Sequence, residues 1–101
     1  MSFTVSGGLT LTAVPGSPTI TTLVQTAPNQ VTVSYTQPTN TGATIITSYT
    51  VVAIPGNIQA TVNTSTSGSI TVTGLTIGTN YNFFIYATNS YGIGYNSAIS
   101  A

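Results

Sequence analysis

Apolar and polar residues alternate with a period of two over short segments along most of the chain. Such alternation is typical of strands that have one buried face and one solvated face. Segments rich in Gly, Pro, Asn and Ser, which favour turns, separate these stretches. The pattern predicts an all-β fold, a two-sheet antiparallel sandwich of seven short strands. The predicted strands are residues 18–24, 30–36, 45–53, 58–63, 69–73, 80–88 and 95–100.

The first fourteen residues stand apart from this series. Apolar residues lie on both sides of Gly7 and Gly8, which predicts an extra strand or a small hairpin. The stiff segment 15–18, with the sequence PGSP, then leads into the first strand. We therefore divide the chain into an N-terminal extension, residues 1–14, and one main domain, residues 15–101.

The chain contains no Lys, Arg, Asp, Glu or His among its 101 residues, and no Cys. General acid–base catalysis needs a group that titrates near the working pH, and a Ser or Thr nucleophile needs a base to activate it. We therefore expect no enzyme and no catalytic residue. Since carboxylate, imidazole and thiolate ligands are all missing, we also expect neither a metal nor a cofactor.

The same composition narrows the choice of partners. Nucleic acids and anionic membranes are bound largely through basic side chains, so we expect neither as a partner. The longest strongly apolar runs, 51–54 and 83–87, are too short to span a bilayer, and the N-terminus lacks the pattern of a signal peptide. A protein partner or self-association remains open, because the charge repulsion that normally keeps proteins apart is missing.

Three stretches together point to a known family. They are VTVSYTQP (31–38), IITSYTV (45–51) and GLTIGTNYNFFIYATNSYGIG (74–94). Residues 15–101 thereby resemble a fibronectin type III domain, especially the charge-poor bacterial and viral kind. The resemblance implies an immunoglobulin-like sandwich with fibronectin type III topology. It also implies a noncatalytic structural or adhesive module that acts by spacing and protein–protein contact, in an extracellular, cell-surface or virus-particle setting.

The resemblance also assigns structural roles to individual residues. Tyr81 takes the tyrosine-corner position, where the hydroxyl bonds to nearby backbone, and Leu75 faces the core. Tyr35 stands where the family usually has Trp, and Ile77 replaces a turn Pro. The last strand ends several residues early, which predicts an open edge on its neighbour.

Two groups of residues are candidates for contact with a partner. If residues 83 and 85 point inward, then Phe84 and Tyr86 point outward beside Val52 of the neighbouring strand. The loop 90–96 carries a second group, but this loop is equally consistent with an ordinary turn. Phe84 and Tyr86 are equally consistent with side-chain packing that only shields the sheet. The full candidate set is Val52, Phe84, Tyr86, Tyr91, Ile93 and Tyr95.

The triplet Asn63-Thr64-Ser65 matches the N-glycosylation pattern, although chains rich in Thr and Asn produce such triplets freely. Two other interpretations of the whole chain stay open. The complete absence of five residue types also fits an engineered or selected charge-free scaffold with no native ligand. The alternating extension also fits a self-assembling fibre subunit that adds a strand to its neighbour.

Overall fold

The computed structural model describes residues 13–97 and residue 99. The predicted all-β, seven-stranded architecture is confirmed. The strands are β1 (Thr19–Ala27), β2 (Gln30–Thr36), β3 (Ser48–Ile54), β4 (Ile58–Val62), β5 (Gly68–Val72), β6 (Asn82–Asn89) and β7 (Gly92–Ile93). The predicted extension lies outside the described residues except for positions 13 and 14.

The strands form two antiparallel sheets. One sheet has three strands in the order β1-β2-β5, and the other has four in the order β4-β3-β6-β7. This arrangement is an immunoglobulin-like sandwich with the predicted fibronectin type III topology. Because successive strands reverse direction, the loops 37–47, 63–67 and 90–91 share one end, which we call the upper end. The turns 28–29 and 55–57 and the loop 73–81 share the lower end.

The core lies between the sheets and follows from the period-two alternation. Val33 and Val72 of the three-stranded sheet and Val51 and Ile85 of the four-stranded sheet are completely buried. Fully burying an apolar side chain of this size contributes about 1.5–3 kcal/mol, so the core does not depend on ion pairs. The other core residues are Tyr35, Ile46, Tyr49, Ala53, Ile70, Leu75, Phe83 and Ala87.

The last strand differs from its prediction. β7 contains only Gly92 and Ile93, which lie ahead of the predicted range 95–100, and residues 98 and 100 of that range fall outside the described residues. The chain nevertheless continues alongside β6 beyond β7. Gly94 N donates to Ala87 O at 2.8 Å, and Ser97 N donates to Ile85 O at 2.8 Å.

These two contacts reveal a β-bulge. Between Ala87 and Ile85 on β6 there is one residue, Tyr86, whereas between Gly94 and Ser97 there are two. One extra residue on one strand is the definition of a bulge, and it breaks the regular ladder at residues 95 and 96. After the bulge, the Ser97 side chain provides a second bond to β6, because its Oγ accepts a hydrogen bond from Ile85 N at 2.9 Å.

Candidate contact surfaces

The outer face of the four-stranded sheet brings apolar side chains into neighbouring rows. Phe84 pairs with Val52, Tyr86 pairs with Thr50, and Ile93 pairs with Thr88. Directly paired residues project from the same face of a sheet, and since Val51 and Ile85 fill the core, these side chains point outward. Tyr95 lies in the bulge opposite Tyr86. We call Phe84, Tyr86, Ile93 and Tyr95 the aromatic face.

The aromatic face is only partly covered. Phe84 and Tyr86 are half-buried, whereas Ile93 is 61 % exposed and Tyr95 is 58 % exposed. Tyr and Phe supply large contact areas with few rotatable bonds, and they are enriched in protein–protein interfaces. Since this protein has no charged side chain, contact at this face would remove no charged side chain of its own from water.

Val52 requires a correction. It lies on the predicted face, but its side chain is only 2 % exposed and cannot offer a contact area. The reason is its central position, because the larger residues Phe84 and Gln59 flank it on the two neighbouring strands. Thr50 beside it is also buried, and its Oγ1 shares a hydrogen bond of 2.9 Å with Thr61 Oγ1. Val52 is therefore a packing residue of this face.

Tyr91 lies apart from the aromatic face, in the loop between β6 and β7 at the upper end. Its side chain is 62 % exposed, and its backbone N–H donates to Asn89 Oδ1 at 2.9 Å. Ile45, in the loop between β2 and β3 at the same end, is 73 % exposed. Thr44 and Ser90 link these two loops through their hydroxyls, 3.3 Å apart. The alternation predicts a strand from residue 45, whereas the structure places Ile45 in the loop before β3 as an exposed residue.

Asn89 holds the start of the described chain against the upper end. Its side chain is 3 % exposed, and Nδ2 donates to Ala13 O at 2.8 Å and to Thr41 O at 3.2 Å. Ala13 O also accepts from Ala43 N at 3.0 Å. Gly42 has a φ of 84°, and any side chain there would collide with Ala13 O, so only Gly permits this approach. Alternation does not identify Asn89, which is the last residue of β6 and follows the polar Thr88.

The following residues, 15–17, run along the bulge. Gly16 N donates to Asn40 O at 2.8 Å, and Tyr95 N donates to Pro15 O at 3.2 Å. Ser17 Oγ donates to Asn96 O at 2.9 Å. We call residues 13–17 the entry segment. Gly94 and Ser97 bond to β6, and the entry segment covers the bulge between them. The predicted open edge concerns β6 beyond Ser97, opposite residues that are mostly outside the described part of the chain, so it stays a prediction.

Two tyrosines meet in the core near the upper end. The rings of Tyr35 and Tyr49 lie 4.5 Å apart, and Tyr35 is placed in the core position expected for the family's Trp. Burial raises the pKa of Tyr35 to about 12, with a smaller contribution from Tyr49. Burial also raises the pKa of Tyr49. Tyr35 OH donates to Thr66 O at 3.4 Å, whereas the buried Tyr49 hydroxyl has no partner among the described residues.

The other two structural residues lie at the lower end. Tyr81 OH accepts a hydrogen bond from Thr76 N at 2.9 Å, and hydrogen bonds from the side chain and backbone of Thr76 lower the pKa of Tyr81. Leu75 is 8 % exposed, and its N donates to Asn29 O at 3.0 Å. These contacts fold the loop 73–81 beneath the sandwich. The loop forms one wall of an open groove with a volume of about 670 Å³.

The described residues offer little chemistry beyond contact. They hold no cluster of His, Cys, Asp or Glu that could bind a metal ion. Within the same part of the chain no helix is long and apolar enough to cross a membrane. The polar atoms of the surface are hydroxyls, amides and carbonyls, which bind a partner by hydrogen bonds and do not titrate near neutral pH.

The chain belongs to the fibronectin type III domain family, whose model matches residues 16–101. Domains of this family are generally noncatalytic modules and commonly mediate protein contacts. A comparison with curated protein sequences finds no match.

Solved structures agree with this assignment. Titin module A71 from human cardiac muscle is 30% identical with a TM-score of 0.61, and the match covers 90% of this chain and 89% of that one. Domains A168–A170 of titin are 26% identical with a TM-score of 0.72, and the match covers 87% of this chain and 31% of that one. The chain spans only 16% of the structure of titin kinase and its flanking domains. The rat CD45 extracellular region, domains d3–d4, is 23% identical with a TM-score of 0.68, and the match covers 88% of this chain and 49% of that one. At this level of identity the similarity shows the fold alone.

Proposed function

We propose that this chain is a structural or adhesive module of an extracellular, cell-surface or virus-particle protein. It acts without catalysis, by spacing its neighbours and by protein–protein contact. The observation that supports the contact role is the aromatic face, where Ile93 and Tyr95 are more than half exposed beside Phe84 and Tyr86. The spacing role is supported by family membership and by a sandwich core that needs no ligand or ion pair.

A site-specific cross-linker tests the contact role. A photoreactive residue at position 93 reports on the aromatic face, and the same residue at position 77 is the matched control. Ile77 is the same residue type with comparable exposure, 72 % against 61 %, but it lies at the lower end of the sandwich. We expect protein adducts from position 93 in the source cells or particles, and few or none from position 77. Absence of adducts at position 93, or equal adducts at both positions, would contradict the proposal.

Protease treatment of intact source cells or particles tests the location. Digestion of the module without lysis supports a surface location, whereas protection until lysis contradicts it. The cross-linking result does not depend on this outcome. The two parts of the proposal can therefore fail separately.

The fibre-subunit alternative predicts a different behaviour. Strand addition needs an unpaired edge. The described chain covers β6 at Ile85 and Ala87, so the edge strands of the two sheets are β1, β5, β4 and the two-residue β7. Sedimentation velocity at increasing concentrations separates the two ideas, because a fibre subunit forms open-ended polymers and a contact module does not. The scaffold alternative predicts neither adducts nor polymers.

A further inference from the structure

The loop between β4 and β5 carries the one glycosylation triplet of the chain. Of the eight Asn residues in the sequence, only Asn63 is followed by Ser or Thr two positions later. Asn63 comes directly after Val62, the last residue of β4, and lies in the exposed loop 63–67. The triplet thus lies in a surface loop, where a transferase can reach it.

The two side chains that the modification needs are both available. Asn63 and Ser65 are exposed, and neither makes a side-chain hydrogen bond to the described part of the chain. The loop is fastened at other positions: Thr64 Oγ1 accepts from Thr66 N at 3.3 Å, and Ser67 Oγ accepts from Gln37 N at 2.8 Å. The fold is therefore held without using the acceptor amide or the neighbouring hydroxyl.

A glycan would also increase the solubility of this uncharged surface. Proteins usually stay apart in solution because their net charge repels neighbours, and this chain has no charged side chain. Exposed apolar residues such as Ile93 and Tyr95 increase the tendency to associate. An N-linked glycan is bulky and strongly hydrated, so it supplies solubility without any ionic group.

We propose that Asn63 is an N-glycan acceptor, an inference that rests on the extracellular location proposed above. Nδ2 of Asn63 forms a bond to C1 of the first sugar of a lipid-linked oligosaccharide. The C1–O bond to the lipid phosphate breaks, and the leaving phosphate keeps the electron pair. The amide proton passes to a base of the transferase, and nothing is oxidised or reduced.

The position of the acceptor is compatible with the contact role. β4 and β7 are the two opposite edges of the four-stranded sheet. A glycan at Asn63 therefore starts at the edge farthest from Ile93 and Tyr95, separated from them by β3 and β6. The sugar would solubilise one side of the module while the other side stays open to a partner.

The test is secretion of the chain from a eukaryotic host, followed by mass spectrometry before and after treatment with an N-glycosidase that converts the glycosylated Asn to Asp. We expect the secreted protein to carry one N-glycan and to leave Asp at position 63 after treatment. Asn63→Gln and Ser65→Ala should both abolish the modification, and Ser65→Thr should retain it. The matched control is Asn80→Gln, an exposed amide outside the triplet, which should leave the glycan in place.

Two results would overturn the inference: a secreted, folded parent chain without a glycan, or a glycan that persists in Asn63→Gln. Thermal melting of the parent and of Asn63→Gln, both made in a bacterial host, should coincide and thereby exclude misfolding as the cause of a missing glycan. Because the acceptor reaction is measured without any partner, its failure leaves the cross-linking result at position 93 unaffected.

Discussion

Replacing Tyr49 by Phe should stabilise the protein, which is unusual for a change in a close-packed core. The Tyr49 side chain is fully buried, and its hydroxyl has no hydrogen-bond partner among the described residues. A buried polar group without a partner costs about 1–3 kcal/mol relative to water. Phe removes the hydroxyl but keeps the ring and its contact with Tyr35.

The loss that opposes this gain is small. Even a void as large as one water probe, about 10–15 Å³, costs only about 0.3 kcal/mol at about 24 cal/mol per Å³. We therefore expect the free energy of unfolding of Tyr49→Phe to rise by about 1 kcal/mol or more. A gain of about 1 kcal/mol corresponds to an increase of about 4–8 °C in Tm for a domain of this size.

Urea denaturation followed by far-UV circular dichroism measures the effect. The midpoint should rise by roughly 0.3–1 M per kcal/mol with an unchanged slope, since slopes in urea are about 1–3 kcal/mol per M. Tyr35→Phe is the matched control, because it makes the same change on the adjacent ring but removes a hydroxyl that bonds to Thr66 O. It should leave stability unchanged or lower it by up to about 1.5 kcal/mol. If Tyr49→Phe is no more stable than the parent, the buried hydroxyl is satisfied and the reasoning is refuted.

Two further predictions concern pH and the upper end of the fold. Stability should be flat from about pH 4 to 9, because no side chain titrates there, and should fall as pH rises from about 10 towards 12. Stability falls there because Tyr35 and Tyr49 have raised pKa values in the folded state and lose a proton more readily when the chain unfolds, whereas the lowered pKa of Tyr81 opposes the fall. The measurement is Tm across this pH range. A Tm that changed between pH 4 and 9, or that rose above pH 10, would contradict the prediction. Asn89→Ala should lower the free energy of unfolding by about 3 kcal/mol, because it removes three part-buried hydrogen bonds, to Ala13 O, to Thr41 O and from Tyr91 N. The exposed Asn80→Ala should change it by less than about 0.5 kcal/mol. Equal urea midpoints for these two variants would overturn the role of Asn89.

Most of the strands could be predicted because their information is local. β2 matches its predicted range, and β4, β5 and β6 differ by at most two residues, since strict alternation against one core leaves a single register. β3 begins three residues later than predicted, at Ser48. Ile45 and Ile46 prolong the apolar pattern, but both belong to the loop before the strand, where Ile46 is buried and Ile45 is exposed.

The parts that could not be predicted depend on distant residues. At the bulge after β7, Tyr95 N donates to Pro15 O and Asn96 O accepts from Ser17 Oγ, so its partners are about 80 positions away in the chain. Alternation places Val52 on the correct face, but its burial is set by residues on two other strands. No window along the sequence contains this information.

The entry segment has a mechanical consequence. Hydrogen bonds attach residues 13–17 to the upper loops, to the end of β6 and to the chain after β7; the partners include Asn40, Ala43, Asn89, Tyr95 and Asn96. A tension applied to the chain ahead of residue 13 would therefore reach these bonds before it reaches β1. The bonds join the entry segment to the four-stranded sheet and to the loop that connects the two sheets, so the load would be shared by these parts of the chain. The entry segment would therefore protect β1 from mechanical separation from β2, because its hydrogen bonds would have to break first.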